Sequence, residues 1–249
     1  MNRPQALDAN NKFPYFNPKK FKSEKQYVCW IDIMGTKRIM SESFSRASNF
    51  VFKFHSIVIK ATTGKKDVWC YPLMDGVFIV STNLMTAKSI LSRIFNSASR
   101  IFVNEDCHMH RFVIKGVIAL GEIARGETIT GEISQILAEN KDYARQIMCG
   151  MPMIQAYSSE RTAPPFGIYI HESARSVNGL QGKYYIWHSN NNYARTLKGL
   201  IISYFDWCAF YHKYLEMDIS KIELYKHLAL EYFSDMRKQG FRKQRLEAR

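Results

Sequence analysis

Tyr27-Val28-Cys29-Trp30-Ile31-Asp32-Ile33 is a continuous apolar run carrying a single acid, the pattern of a strand covered on both faces at the centre of a sheet. Residues 1–24, before it, are rich in Asn, Pro and Lys and read as an extended arm. After it, residues 41–62 place Phe44, Ala47, Phe50, Val51, Phe54 and Val58 at helical spacing. Two strands, 67–71 and 76–81, meet at a turn around Pro72–Asp75. A helix over 85–102 follows, with Ile90, Leu91, Ile94 and Ala98 on one face, and then a strand over 111–120. The order βαββαβ predicts an α+β fold on the ferredoxin-like plan, a central mostly antiparallel sheet flanked by helices. Beyond it, residues 121–135 hold three glycines and read as a hairpin or arm, 150–161 as a helix, and 166–170 and 183–187 as short strands. Apolar stripes at Leu197, Leu200, Ile201, Tyr204, Phe205 and Cys208, then at Leu224, Leu228 and Tyr232, give a helical C-terminal extension.

The chain has 249 residues, 46% hydrophobic and 23% charged, enough to bury a full core and unlike a disordered composition. A net charge of +13 invites a polyanionic partner. Its location narrows that invitation. Residues 1–25 carry six basic and two acidic side chains and residues 237–249 six and one, so the ends hold nine of the thirteen charges and the body is nearly balanced. Such tails are either solvated or grip a polyanion. No apolar stretch of about 18 residues occurs, which excludes a membrane-spanning helix. The opening residues lack an apolar signal core. Five scattered cysteines form no C-x-x-C pair, which argues against a disulfide framework or a zinc ribbon. A reduced, cytoplasmic protein is expected.

Two acids stand out, Asp32 in Trp-Ile-Asp-Ile-Met-Gly-Thr and Asp75 in Pro-Leu-Met-Asp-Gly-Val-Phe-Ile. Burying a carboxylate costs several kcal/mol unless cations or hydrogen bonds offset it. Singly, Asp32 could cap the following helix and Asp75 could make a turn with Gly76. As a pair at the ends of adjacent strands they suit one or two hard divalent ions. The glycine after each allows close approach of a phosphate.

These residues resemble the class III nucleotidyl cyclases. That family has an apolar-any-Asp-Ile-any-Gly first strand, filled here by Ile31-Asp32-Ile33-Met34-Gly35-Thr36, and a later Asp turn, filled by Met74-Asp75-Gly76. Lys115-Gly116-Val117-Ile118-Ala119-Leu120-Gly121-Glu122 is similar to the family's Arg-any-Gly-Ile strand, and Gly150 to Glu160 to the helix that closes the site. Within the family the motifs look most like the bacterial pyrimidine (uridylate or cytidylate) cyclases of the Pycsar antiphage system. The resemblance implies a catalytic domain over 25–195, followed by the helical extension and basic tail over 196–249. It implies conversion of UTP to 3′,5′-cyclic UMP and pyrophosphate, in a homodimer with sites completed across the interface. The product would activate a separate cell-killing effector in antiphage defence. Asp32, Asp75 and the Ile33 carbonyl would hold two Mn²⁺ or Mg²⁺ ions, and the amides of Met34, Gly35 and Thr36 would cradle phosphate.

The sequence also departs from the family. Where purine cyclases place a base-reading Lys, four residues before the second metal Asp, Tyr71 stands. Its hydroxyl could bond a pyrimidine edge, its ring could stack on the base, or it could simply pack in a strand. The closing helix has Ile154 and Ser158 where the family carries Asn and a transition-state Arg. Arg161, Arg125, Arg111 and Lys115 are the candidates to supply that charge. The alternatives are a cytidylate cyclase making cyclic CMP, a basic nucleic-acid-binding module with a cyclase-like fold, and a cyclase-like fold without activity. Cys107, His108 and His110 read as a surface loop rather than a metal cluster, and the aromatic residues of 184–214 as core or dimer interface rather than a base-stacking platform.

Overall fold

The computed structural model describes residues 15–188 and 191–247, the last thirteen of these by backbone alone. Most of the basic arm (1–14), the side chains of the basic tail and residues 248–249 lie outside the described residues. In chain order the elements are β1 (Glu24–Ile33), α1 (Thr36–Glu42), α2 (Phe44–Thr62), β2 (Val68–Leu73), β3 (Gly76–Ser81), α3 (Leu84–Asn104) and β4 (Ile114–Arg125). They continue with α4 (Gln135–Glu139), α5 (Lys141–Ala144), β5 (Met148–Cys149), α6 (Met151–Ser158), β6 (Ile168–Ile170), α7 (Glu172–Arg175), β7 (Tyr184–Tyr185), α8 (Asn191–Phe210) and α9 (Ile219–Glu247).

The strand order is β2-β3-β1-β4-β6-β7, with β5 joined to β4. Only the β4–β6 pairing is parallel. The first four strands and their two helical crossovers make the ferredoxin-like arrangement, so the fold is α+β with a mostly antiparallel sheet flanked by helices. Local chemistry supports each element. Ser43 and Asn83 accept the Arg46 and Thr86 amides at the starts of α2 and α3, at 3.3 and 3.1 Å. Pro72 is tolerated because β2 is an edge strand.

Strand alternation divides the apolar residues between two faces. Cys29, Ile31, Ile33, Ile79 and Ile118 face the main core with Phe50, Phe54, Ile90, Phe95 and Phe102 of α2 and α3. Val28, Trp30, Tyr71, Phe78, Val117 and Ala119 face the other way, under Ala156 of α6. Asp32 and Lys115 point to this second side.

Three expectations change. Residues 41–62 form two helices broken at Ser43, whose extended backbone ends α1 and caps α2. Residues 121–125 continue β4 instead of starting a hairpin, because they pair with the beginning of β1 and with β5 despite the glycines. The extension begins at Asn191 and turns between α8 and α9 through Glu216, at a left-handed φ of 48°. Leu197, Ile201, Phe205 and Cys208 are buried as their spacing predicts, and so are Leu228 and Tyr232, whereas Leu224 is exposed. These helices share the main core with the sheet. Among the described residues no helix is long and apolar enough to cross a membrane.

Candidate active site

Asp32 is the penultimate residue of β1, partly buried, opposite Gly76 on β3 and Lys115 on β4. Asp75 sits in the two-residue turn joining β2 to β3, after Met74, whose φ is 53°. The His55 ring donates to the Met74 carbonyl at 3.3 Å and ties that turn to α2. Alternation along β1 and β4 turns Asp32 and Lys115 to the α6 side, with Trp30 and Val117.

A residue that the sequence did not single out completes the cluster. Glu160, in the 3₁₀ turn after α6, lies 2.7 Å from the Lys115 ammonium and accepts from the Trp30 indole at 3.4 Å. It also hydrogen-bonds Asp32. Burial, the charges of Glu160 and Asp75, and that hydrogen bond push the Asp32 carboxyl up to about 8, with Lys115 opposing. Asp32 thus lies under the negative charge of Glu160 and Asp75, while Lys115 is ion-paired to Glu160, and the excess negative charge favours the protonated form of Asp32. A hard divalent cation on these oxygen donors would offset the same charge, so the donor set fits Mg²⁺ or Mn²⁺. Among the described residues no three His, Cys, Asp or Glu side chains are arranged to enclose an ion alone. The protein's share would be the carboxylate pair and a carbonyl.

The turn after β1 is open. Gly35 has φ +79°, and a Cβ there would meet nothing within 4 Å. Among the described residues no side chain caps α1, so Asp32 is not its cap. The first-turn amides of a helix have no intrahelical partner, and those of Gly35 and Thr36 receive no side-chain cap among the described residues. The Met34 amide is different: it donates to the Val113 carbonyl at 2.8 Å and is spent on the sheet. Of the three amides expected to cradle phosphate, it drops out. The Ile33 carbonyl accepts the Thr36 hydroxyl at 3.1 Å and keeps its second lone pair. Gly76 serves packing rather than phosphate approach, since a Cβ there would lie 2.3 Å from the Trp30 ring.

Tyr71 faces the same side, but the fold does not bring it to Asp32. It is buried, and its hydroxyl has no hydrogen-bond partner among the described residues. Burial raises it to about 12, with Glu127 adding to the rise and Arg125 opposing it. The Arg125 guanidinium stacks 3.4 Å from the centre of the Trp69 ring and pairs with Glu127.

Of the four candidate cations only Lys115 reaches the carboxylates. Arg111 donates to the Glu105 carbonyl and lies over Phe102, Arg125 belongs to the Trp69 cluster, and Arg161 is exposed. Ile154 and Ser158 lie on the exposed side of α6, the Ser158 hydroxyl donating to the Ile154 carbonyl at 2.7 Å. His108 stacks on Trp207 and contacts Arg111. Tyr184, Trp187 and Phe205 are buried in the core.

No protein-family model matches the chain, and no curated protein does. Solved structures do. The guanylyl cyclase domain of the RhoGC fusion protein from the aquatic fungus Blastocladiella emersonii is similar at 15% identity, over 63% of this chain and 84% of that one, with a TM-score of 0.46. The guanylate cyclase domain of RhGC from Catenaria anguillulae, solved with GTP, is similar at 13% identity over 63% and 83%, with a TM-score of 0.43. A bacterial light-regulated adenylyl cyclase is similar at 12% over 64% of this chain and 47% of that one, with a TM-score of 0.48. These neighbours are nucleotidyl cyclase domains. Likeness at this level transfers neither substrate nor residue roles.

Proposed function

We propose that the chain is a two-metal pyrimidine nucleotide cyclase that converts UTP to 3′,5′-cyclic UMP and pyrophosphate. The observation that carries this reading is the pairing of Asp32 with Asp75 at the ends of neighbouring strands, beside the open Gly35 turn. Asp32, Asp75 and the Ile33 carbonyl would hold Mn²⁺ or Mg²⁺, which when bound lowers the pKa of the ribose 3′-hydroxyl and neutralises the triphosphate. The Gly35 and Thr36 amides receive phosphate oxygens at the start of α1. Lys115 supplies the positive charge that Ser158 cannot. The work of the side chains is positioning and charge stabilisation, as phosphoryl transfer requires.

Tyr71 reads the base in this proposal, because a buried hydroxyl without a partner is satisfied by a pyrimidine edge. The resemblance implies sites completed across an interface, so in this reading the metal pair of one chain faces Tyr71 of another in a homodimer. Met151, Ile154 and Tyr157, all exposed on α6 beside the site, provide an apolar surface for that contact. A hydroxyl both donates and accepts, so the same site would take CTP and make cyclic CMP. A triphosphate substrate places the reaction in the cytoplasm. The further role, a second messenger for a separate antiphage effector, rests on the motif resemblance.

The test is incubation of the protein with each of the four nucleoside triphosphates and Mn²⁺, with products resolved by mass spectrometry. Cyclic UMP is expected, and Asp75→Ala lowers turnover more than about a hundredfold, since even outer-shell changes at metal sites cost 10–100-fold. Absence of any cyclic nucleotide overturns the reading. Nucleic-acid binding that falls steeply with salt and survives Asp75→Ala would favour the basic binding module in its place.

A further inference from the structure

We infer that Tyr225, on α9 of the C-terminal extension, is a positioning residue of the active site, whose ring holds the Lys115 ammonium toward the substrate's phosphates. The inference deepens the cyclase reading and rests on it.

Lys115 is only 4% exposed, and its ammonium must be stabilised by what surrounds it. Glu160 lies at 2.7 Å on one side. The centre of the Tyr225 ring lies at 5.2 Å on another, within the range of a cation–ring contact. A second carboxylate in that position would neutralise the ammonium and repel a polyphosphate. A ring face stabilises the cation without adding a full negative charge, which leaves Lys115 able to attract an anion.

The extension is placed for this task by a second, independent contact. Arg38 of α1 donates to the Leu215 carbonyl at 2.8 Å, just before α9. Between these two anchors lies a cavity of about 280 Å³, with Met34 and Gly35 of the phosphate turn on one wall and Met217, Lys221 and Tyr225 on the other. The α8–α9 hairpin thus lies across a cavity from the turn that would receive phosphate and touches the lysine that would pair with it. Tyr225 is half-buried, and its other aromatic neighbour, Phe205, is a loose one at 6.1 Å. Tyr225 packs at the margin of the main core, so its replacement calls for a stability control.

The test compares wild type, Tyr225→Phe, Tyr225→Leu and Tyr225→Met in the full chain, measuring kcat and KM for UTP with Mn²⁺ alongside melting temperatures. Tyr225→Phe keeps the ring and stays within about twofold of wild type. Tyr225→Leu and Tyr225→Met lose it, and KM rises about three- to tenfold, the size of a partly desolvated cation–ring contact, with a smaller change in kcat. The Met variant preserves bulk, so a packing defect confined to Leu is recognised by its lowered melting temperature. Wild-type KM in both Leu and Met variants overturns the inference, as does a Phe variant impaired as much as they are. A wild type that cyclises no nucleotide overturns the cyclase reading itself, and this inference with it.

Discussion

Asp32→Asn is expected to end the chemistry while stabilising the metal-free protein at alkaline pH. In the unfolded chain Asp32 ionises near 3.8; in the fold, burial and the carboxylates of Glu160 and Asp75 push it up to about 8. Between those values the folded state binds more protons than the unfolded state, so stability falls as pH rises from about 4 to about 8 and is level beyond. Four pH units at 1.36 kcal/mol each set a ceiling of about 5 kcal/mol. Asp32 shares its hydrogen bond with Glu160, so part of the strain outlasts the substitution, and about half the ceiling, ~2 kcal/mol, is the expected gain at pH 8. For a chain of this length that is roughly 4–8 °C in Tm. The assay is thermal melting from pH 5 to 9 in chelator, wild type against Asp32→Asn. The two curves converge at acid pH and separate as pH rises, the variant melting higher. Added Mn²⁺ raises Tm of the wild type, increasingly with pH, because a cation bound only by the folded state stabilises it; it leaves the variant nearly unchanged. A variant that melts below wild type at pH 8 without metal, or a gap that does not vary with pH, would refute the reasoning.

Two further substitutions probe the frame of the site. Gly76→Ala would set a Cβ 2.3 Å from the Trp30 ring, and overpacking of that kind costs about 1–3 kcal/mol; denaturant titration followed by Trp fluorescence should show both the lost stability and a shifted emission, and an unaltered midpoint would mean that the indole is not packed there. Ile154→Lys, at an exposed position of α6, should convert a dimer to a monomer in sedimentation velocity and cut activity in parallel; an unchanged sedimentation coefficient would remove α6 from the interface.

Part of the candidate site is legible in the sequence because its chemistry is locally anomalous. A carboxylate inside an apolar strand, followed by glycine, is costly enough to be noticed in one dimension, and that is how Asp32 and Asp75 were found. Glu160 carried no such signal. It stands in the polar stretch Ser158-Ser159-Glu160-Arg161, where a glutamate is ordinary, and only the packing of α6 across the sheet brings it to Trp30 and Asp32. The partner of the Met34 amide, the Val113 carbonyl, is equally hidden, since a hydrogen bond between residues far apart in the chain is not written in either one's neighbourhood.

By itself the sequence determined the α+β order of elements, the central strand and the two acids, because periodicity and the cost of a buried charge are properties of short stretches. The tertiary structure decided which cation serves the acids. Four were available, and strand register placed Lys115 opposite Asp32 while drawing Arg111 and Arg125 into other clusters. It also decided that Tyr71 sits beside Arg125 and Glu127 and that the C-terminal helices reach Lys115 through Tyr225. Those are contacts between residues far apart in the chain, set by how whole elements pack, and no local pattern encodes them.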